Sequence, residues 1–139
     1  MTTFKGYIRP DGSVGARNHV IAIPTVSCVN GIIERIAREV PGVIPIVHTA
    51  GCGRGSIDVF RHHRVLTGIS KNPNNYAVIV VGLGCEPDRA DVIAKAVQET
   101  GRPAFSVIAQ EVGGSDKAAQ LAIAEARKFI EEAKQCKRE

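Results

Sequence analysis

The chain has 139 residues and a formal net charge of +4, which is room for one domain with a proper core but not for two. Its Lys and Arg residues are scattered rather than blocked, so the charge makes no case for nucleic acid and leans only towards anionic small molecules or a protein partner. The amino terminus MTTFKGYIRP has no apolar h-region and no apolar stretch approaches the length of a membrane span, so no membrane association is expected and a cytoplasmic location follows.

Tryptophan is absent and aromatic residues make up 4% of the chain, which leaves Val, Ile, Ala and Leu to fill the interior, as in many α/β proteins. In a reducing compartment the four cysteines are ligands, reactive thiols or packing residues rather than disulfides.

Phe4–Arg17 (FKGYIRPDGSVGAR) is a turn-rich preface, and residues 1–18 form an extension to a core of 19–139. Pro10-Asp11-Gly12 is a good turn former flanked by short segments able to pair as a hairpin. Two readings stand for this preface: a flap over a sheet edge, or a carrier that brings Arg17 to a site as a cation. A first strand is predicted over His19–Thr25, running into Ser27-Cys28. Val29, Ile32, Ile33, Ile36, Ala37 and Val40 then fall at helical spacing, with Asn30 as a possible cap and Pro41-Gly42 as the stop. A second strand over Val43–His48 leads into the loop HTAGCGRGS. The helix that follows, Ser56–Ser70, has Ile57, Phe60, Leu66 and Ile69 on its expected inner face.

Lys71–Asn75 is a loop by composition. The apolar run Ala77–Val81 then breaks into Gly82-Leu83-Gly84-Cys85-Glu86-Pro87, a buried strand that ends in a tight turn and a helix start. A third helix over Pro87–Thr100 is expected to bury Val92, Ile93, Ala96 and Val97. A fourth strand over Pro103–Ala109 is followed by QEVGGS. The last helix runs from Ser115, as cap, to about Lys134, and Cys136 reads as an incidental exposed thiol in a charged tail.

The alternation of strand and helix implies an α/β fold. It is a four-stranded parallel sheet of Rossmann/flavodoxin-like order 2-1-3-4, with helices on both faces, right-handed crossovers and an amino-terminal hairpin-like extension. In such sheets ligands bind outside the carboxyl ends of the strands, where the order reverses. Cys28, Cys52 and Cys85 each follow a different strand to that edge. Thiolates are soft ligands that suit iron, iron–sulfur clusters and zinc, and three ligands with an open fourth position describe a catalytic site. The competing reading is that each is a small packing residue.

His48 ends the second strand and is open to three roles: ligand, general base or hydrogen-bonding residue. Glu86 stands at a helix start, where a carboxylate gains from the dipole with or without catalytic duty. His62 and His63 read as a solvated helix face, and His19 as structural. GLGCEP fails as a dinucleotide fingerprint: its last position is Pro87 and it follows the third strand rather than the first. Gly113-Gly114-Ser115 is a better anion cradle, although the same residues make a plain turn and cap.

GYIRPDGSVGARN, TVSC, HTAGCG, VGLGCE and QEVGGS, in this order and spacing, resemble the altronate/galactarate dehydratase family, which also includes the large chain of sulfolactate sulfo-lyase. The resemblance runs from Phe4 to Ser115, and VGLGCE is its most specific piece. It implies an iron-dependent hydro-lyase that removes water from a 2,3-dihydroxy acid to give a 2-keto-3-deoxy acid. The cofactor would be Fe²⁺ or an iron–sulfur cluster. Where the family reads HGTGCG, this chain has His48-Thr49-Ala50-Gly51-Cys52-Gly53, keeping the His, the Gly-Cys-Gly and the spacing.

The family enzymes also carry a small amino-terminal domain and a long carboxyl-terminal region, so the resemblance implies a partner chain with the rest of the lyase, and an oligomer. On this reading Cys28, Cys52 and Cys85 are metal ligands. His48 is base or ligand and Glu86 a second acid/base. Arg17, Asn18, Gln110, Gly113, Gly114 and Ser115 hold an acidic, sugar-derived substrate. The alternatives are a non-catalytic regulatory or assembly domain, a C–S lyase subunit, and a thiol-redox domain, the last disfavoured because no CxxC pair exists.

Overall fold

The computed structural model describes residues 3–139. Its first element is the expected hairpin, β1 (Tyr7–Ile8) against β2 (Val14–Gly15), antiparallel. Asp11 Oδ1 fixes its turn by accepting hydrogen bonds from the Ser13 amide and hydroxyl. The core then reads β3 (His19–Pro24), a 3₁₀ turn (Ser27–Val29), α1 (Asn30–Glu39), β4 (Val43–Pro45), α2 (Ser56–Ser70) and β5 (Asn75–Gly82). It continues with α3 (Ala90–Gln98), β6 (Ala104–Ile108), α4 (Ala109–Val112) and α5 (Ser115–Gln135). The sheet order is β4-β3-β5-β6, all parallel, which is the 2-1-3-4 order expected.

Strand alternation divides the core in two. Val20, Ala22, Ile79 and Val81 face α1 and α5. Ile21, Ile23, Val78 and Val80 face α3 and Leu66 of α2. Side chains alternate along a strand with period two, so the continuous apolar runs are what burial on both faces requires.

Several expectations are corrected. β4 is only three residues long, although the Ile46 amide still donates to Ala22 O at 2.8 Å. Neither Asn30 nor Ser115 caps a helix: each is the first helical residue and makes no side-chain cap bond. Asn30 instead donates to His48 O at 2.8 Å. The residues after β6 form a short helix (α4), and α3 begins at Ala90 rather than Pro87. Val92 is 50% exposed, and Ile57, Phe60 and Ile69 of α2 also face outwards. Only Leu66 of the expected inner face of α2 is buried. Cys136 is half-buried, its thiol near Glu132 O.

The hairpin closes the amino end of the sheet. Buried Arg9 donates to Pro73 O, Asn18 Oδ1 and Arg17 O, at 2.8, 2.8 and 3.0 Å. Gly6 and Glu139 exchange two backbone hydrogen bonds, which ties the two ends of the described chain together.

Candidate functional site

Four strand-exit loops meet at the carboxyl edge, and side-chain and backbone bonds stitch each to the next. The Ser27 amide donates to Ala50 O at 2.9 Å, the Thr25 amide to Val81 O at 2.9 Å, and the Gln110 amide to Leu83 O at 2.9 Å. This row runs β4–β3–β5–β6, the order of the sheet itself. Cys52, Cys28 and Cys85 ride on the first three loops, and all three thiols are exposed. Exposure removes the reading in which they pack the core.

The Cys52 thiol is pushed up from its ordinary value. Desolvation among the loops leads, followed by the negative potential of Cys85, Cys28 and Glu86, with a hydrogen bond to Cys85 adding to it. Cys28 and Cys85 therefore stand near enough to Cys52 to act on it, and at Cys52 a thiolate is disfavoured until a cation arrives. Among the described residues no three His, Cys, Asp or Glu side chains already stand in ligating arrangement around one point. The donor set suits a soft or borderline metal, and gathering all three thiols on one ion requires the loops to draw closer.

Glu86 is the keystone of the Cys85 loop. Its Oε1 accepts from Thr25 Oγ1 at 2.5 Å and the Leu83 amide at 2.8 Å, and its Oε2 accepts from the Gly84 amide at 2.7 Å. Burial acts to raise its pKa, but the Thr25 hydroxyl and the Gly84, Glu86 and Leu83 amides outweigh it, so the carboxyl is held below its ordinary range. Gly82 leaves room for this bridge: a Cβ there would stand 2.8 Å from Glu86 Oε1 and 3.2 Å from the Ala90 Cβ. A buried carboxylate with this many donors is a structural anion, not a poised acid or base.

His48 is committed in the same way. Its Nε2 donates to Pro24 O at 2.8 Å and its Nδ1 accepts from the Ala50 amide at 3.1 Å. These two bonds engage both ring nitrogens, and neither is left for a metal or a substrate proton. The expected base or ligand is instead a brace between the β3 exit and the Cys52 loop.

Arg17 and Asn18 are not brought to the cysteines. They precede β3 and lie at the amino end of the sheet, about 20 Å of strand from the thiol edge. The Arg17 amide donates to Asn74 Oδ1 at 3.1 Å. Asn18 bridges Arg9 to Ala133 O, donating to the latter at 2.8 Å. The flap reading describes this segment, and the cation reading does not. Gln110, Gly113, Gly114 and Ser115 do reach the thiol edge, after β6. Gln110 lies against Gly84, and Gly113, with φ 98°, turns the chain from α4 into α5.

One cluster escapes a reading of the sequence alone. Asp88, buried, accepts from His63 Nδ1 at 2.7 Å and faces His62 Nδ1 at 3.6 Å. The His62 side chain is only 8% exposed, and its ring meets that of His48 edge-on at 5.2 Å between centroids. His62 Nε2 and Asp88 Oδ2 have no hydrogen-bond partner. Desolvation leads in lowering the His62 pKa, against the opposing pull of Asp88. The pair His62-His63 and the Asp88 that follows Cys85-Glu86-Pro87 are the only sequence traces of this row.

An open parallel sheet with its exit loops joined at the point where the strand order reverses defines a doubly wound α/β domain, a class whose ligand crevices lie at that edge. Comparison with known proteins narrows the class. Residues 6–134 match the family described as D-galactarate dehydratase/altronate hydrolase, second domain, and the chain belongs to that family. It is 34% identical over 137 residues to the (2R)-sulfolactate sulfo-lyase subunit beta of Chromohalobacter salexigens, an alignment covering 99% of this chain and 34% of that subunit. It is 36% identical over 107 residues to the altronate dehydratase of Bacillus subtilis (70% of this chain, 22% of the enzyme). With the altronate dehydratase of Escherichia coli it shares 39% identity over 90 residues (58% of this chain, 18% of the enzyme). The chain thus spans about a third of the sulfo-lyase subunit and about a fifth of each dehydratase. Among the described residues no helix is long and apolar enough to cross a membrane.

Proposed function

We propose that this domain is the thiol-bearing module of an iron-dependent lyase that removes water from a 2,3-dihydroxy acid to give a 2-keto-3-deoxy acid. The observation that carries this reading is the gathering of three exposed thiols, from three strand-exit loops, at one edge of the sheet. Cys28, Cys52 and Cys85 would hold Fe²⁺ or an iron–sulfur cluster, with one position left to substrate. Bound there, the iron would supply Lewis-acid polarisation of the substrate carboxylate or of the departing hydroxyl.

The chain's own residues do the rest of the holding. Glu86 and Thr25 fix the Cys85 loop, and His48 fixes the Cys52 loop. Gln110 and the helix start at Gly114-Ser115 offer donors to a substrate carboxylate. In the elimination the C2 proton goes to a base, the C–H electron pair forms the C2–C3 double bond, and the C3–O bond breaks as the departing hydroxyl takes up a proton, in net terms the one removed from C2, and leaves as water. The resulting enol takes a proton at C3 and becomes the 2-keto acid. Since both ring nitrogens of His48 are engaged and Glu86 is held by three donors as a structural anion, we assign the base to the region that the relatives carry outside this domain, supplied by a partner chain or by further polypeptide.

A second reading keeps the same first step and lets sulfite leave in place of water. It is favoured by the sulfo-lyase subunit aligning with 99% of this chain, against 70% and 58% for the two dehydratases. Turnover of a sugar acid against a sulfonate, with the remaining region supplied, separates the two.

The test of the module itself is iron and acid-labile sulfide after anaerobic purification. Comparable iron and sulfide, both lost in Cys85→Ser while the far-ultraviolet dichroism stays, is the expected result. Iron without sulfide selects the single ion. Iron retained in Cys85→Ser, or a folded chain that takes up none even with the remaining region present, refutes the assignment.

A further inference from the structure

We infer that the outer side of α2 is a docking surface for the lyase region that the relatives carry outside this domain, and that the docked segment is apolar with flanking carboxylates. The inference rests on the family reading only for the identity of the occupant. The surface itself stands on geometry. Of the ten large apolar side chains exposed among the described residues, six flank or lie on α2: Val47, Ile57, Phe60, Val65, Ile69 and Val92. Ile57 and Phe60 are each more than 60% exposed. Val47, Val65 and Ile69 line one groove beside β4, and Phe60 and Val92 line another between α2 and α3; exposed apolar side chains gathered in this way, rather than scattered singly, mark interaction sites.

Between α2 and the residues that follow β4 runs a groove of about 470 Å³ with Ile46, Val47, Val65, Leu66 and Ile69 along its apolar floor. β4 is the outer strand of the sheet, so the groove lies beside an unpaired edge. Val65 and Ile69, one helical turn apart, stand on the side of α2 towards β4, and among the described residues nothing covers them. An amphipathic pattern without an intramolecular partner calls for an intermolecular or interdomain one.

Three observations choose the occupant. The relatives are several times longer than this chain, so most of the lyase polypeptide must pack somewhere outside this domain. The groove is lined by Arg54 and Arg61 with one carboxylate, Asp58, 3.6 Å from Arg61, an excess of positive charge that selects an acidic flank. Arg54 and His48 carry the groove to the Cys52 loop, so a segment seated there reaches the thiol edge and could deliver the base that this domain lacks.

The probe is the part of the sulfo-lyase beta subunit outside the matched segment, produced as a separate polypeptide and titrated onto the folded chain by interferometry. Binding is expected to weaken at least tenfold in Val65→Asp, to weaken with added salt, and to be unchanged in Leu121→Asp, a control on α5 against the other sheet face. Val65 is exposed, so the variant retains its fold, which a thermal melt confirms. Absence of a complex, equal binding by Val65→Asp, or a self-dimer that Val65→Asp dissolves each overturns the inference. Iron content is read on the same samples. Iron without a complex sinks the docking surface alone, and a complex without iron sinks the iron assignment alone.

Discussion

Replacing Glu86 by Gln separates a structural anion from a catalytic one. The carboxylate is 8% exposed and accepts three hydrogen bonds, from Thr25 Oγ1 and the Leu83 and Gly84 amides. A Gln amide has the same shape but turns one acceptor into a donor. With its NH₂ in the place of Oε2 it opposes the Gly84 amide; flipped, it opposes the Leu83 amide. Either way one backbone donor loses its partner, at about 1–3 kcal/mol, and the remaining bonds lose their charge assistance. We expect about 2–3 kcal/mol of lost stability for Glu86→Gln, and more for Glu86→Ala, which strands all three donors. Urea unfolding followed by circular dichroism reads this directly.

The pH dependence gives a second handle on the same group. The folded pKa lies below the unfolded value near 4.5, so the carboxylate contributes stability that is present above that value and lost as pH falls through the folded pKa. Glu86→Gln should therefore flatten the acid limb of the stability curve below about pH 4.5. A Glu86→Gln variant as stable as the parent, with an unchanged acid limb, would refute the keystone argument and return Glu86 to the list of free acids.

Other substitutions test the remaining parts. Gly82→Ala places a Cβ 2.8 Å from Glu86 Oε1 and should cost about 1–3 kcal/mol, as overpacking does, measured by the same urea titration. Asn18→Ala removes the bridge between Arg9 and Ala133 O; a loss of about 1–2 kcal/mol with unaltered iron content is expected, since the residue is remote from the thiols. For His62, desolvation holds the folded pKa below the unfolded value of 6.5 while Asp88 opposes and His48, Arg54 and His63 assist. Stability is then present above about pH 6.5 and declines as pH falls towards the folded pKa. A two-dimensional imidazole titration should place the His62 midpoint below 6.5, and His62→Leu should reduce the loss of stability between pH 7.5 and 5.5; a midpoint above 6.5 would contradict the desolvation argument.

The sheet was legible because its signal is local. Val20–Ile23 and Ala77–Val81 are apolar at every position, and only a strand buried on both faces needs that. The meeting of Cys28, Cys52 and Cys85 at one edge followed from placing each after a strand, which topology alone decides. Arg17 and Asn18 could have been excluded by the same rule: they precede a strand, so they belong to the amino edge. Ile57, Phe60 and Ile69 show a limit of loose periodicity: at about 100° per residue Phe60 and Ile69 fall on opposite sides of α2, so the three could not share one buried face. His48 and Glu86 show a different limit. Their residue types suit proton transfer, but availability depends on what their polar atoms already bond, and these are engaged with Pro24 O, Thr25 and three amides that no spacing rule reveals.

That commitment has a mechanistic consequence. A group can act as a general base only when its acceptor atom is free to take a proton in the transition state. On this edge the carboxylate and imidazole nearest the thiols are engaged in holding the loops, and the Cys52 thiol favours its protonated form. What the edge offers freely is soft donors and a helix start, suited to an electrophile and to a carboxylate. An elimination divided in this way places the electrophile here and the base on the region that docks along α2. The isolated domain should therefore bind iron and show no turnover. Turnover by the isolated domain, lost in His62→Leu but not in Val65→Asp, would show that the base resides in this domain after all.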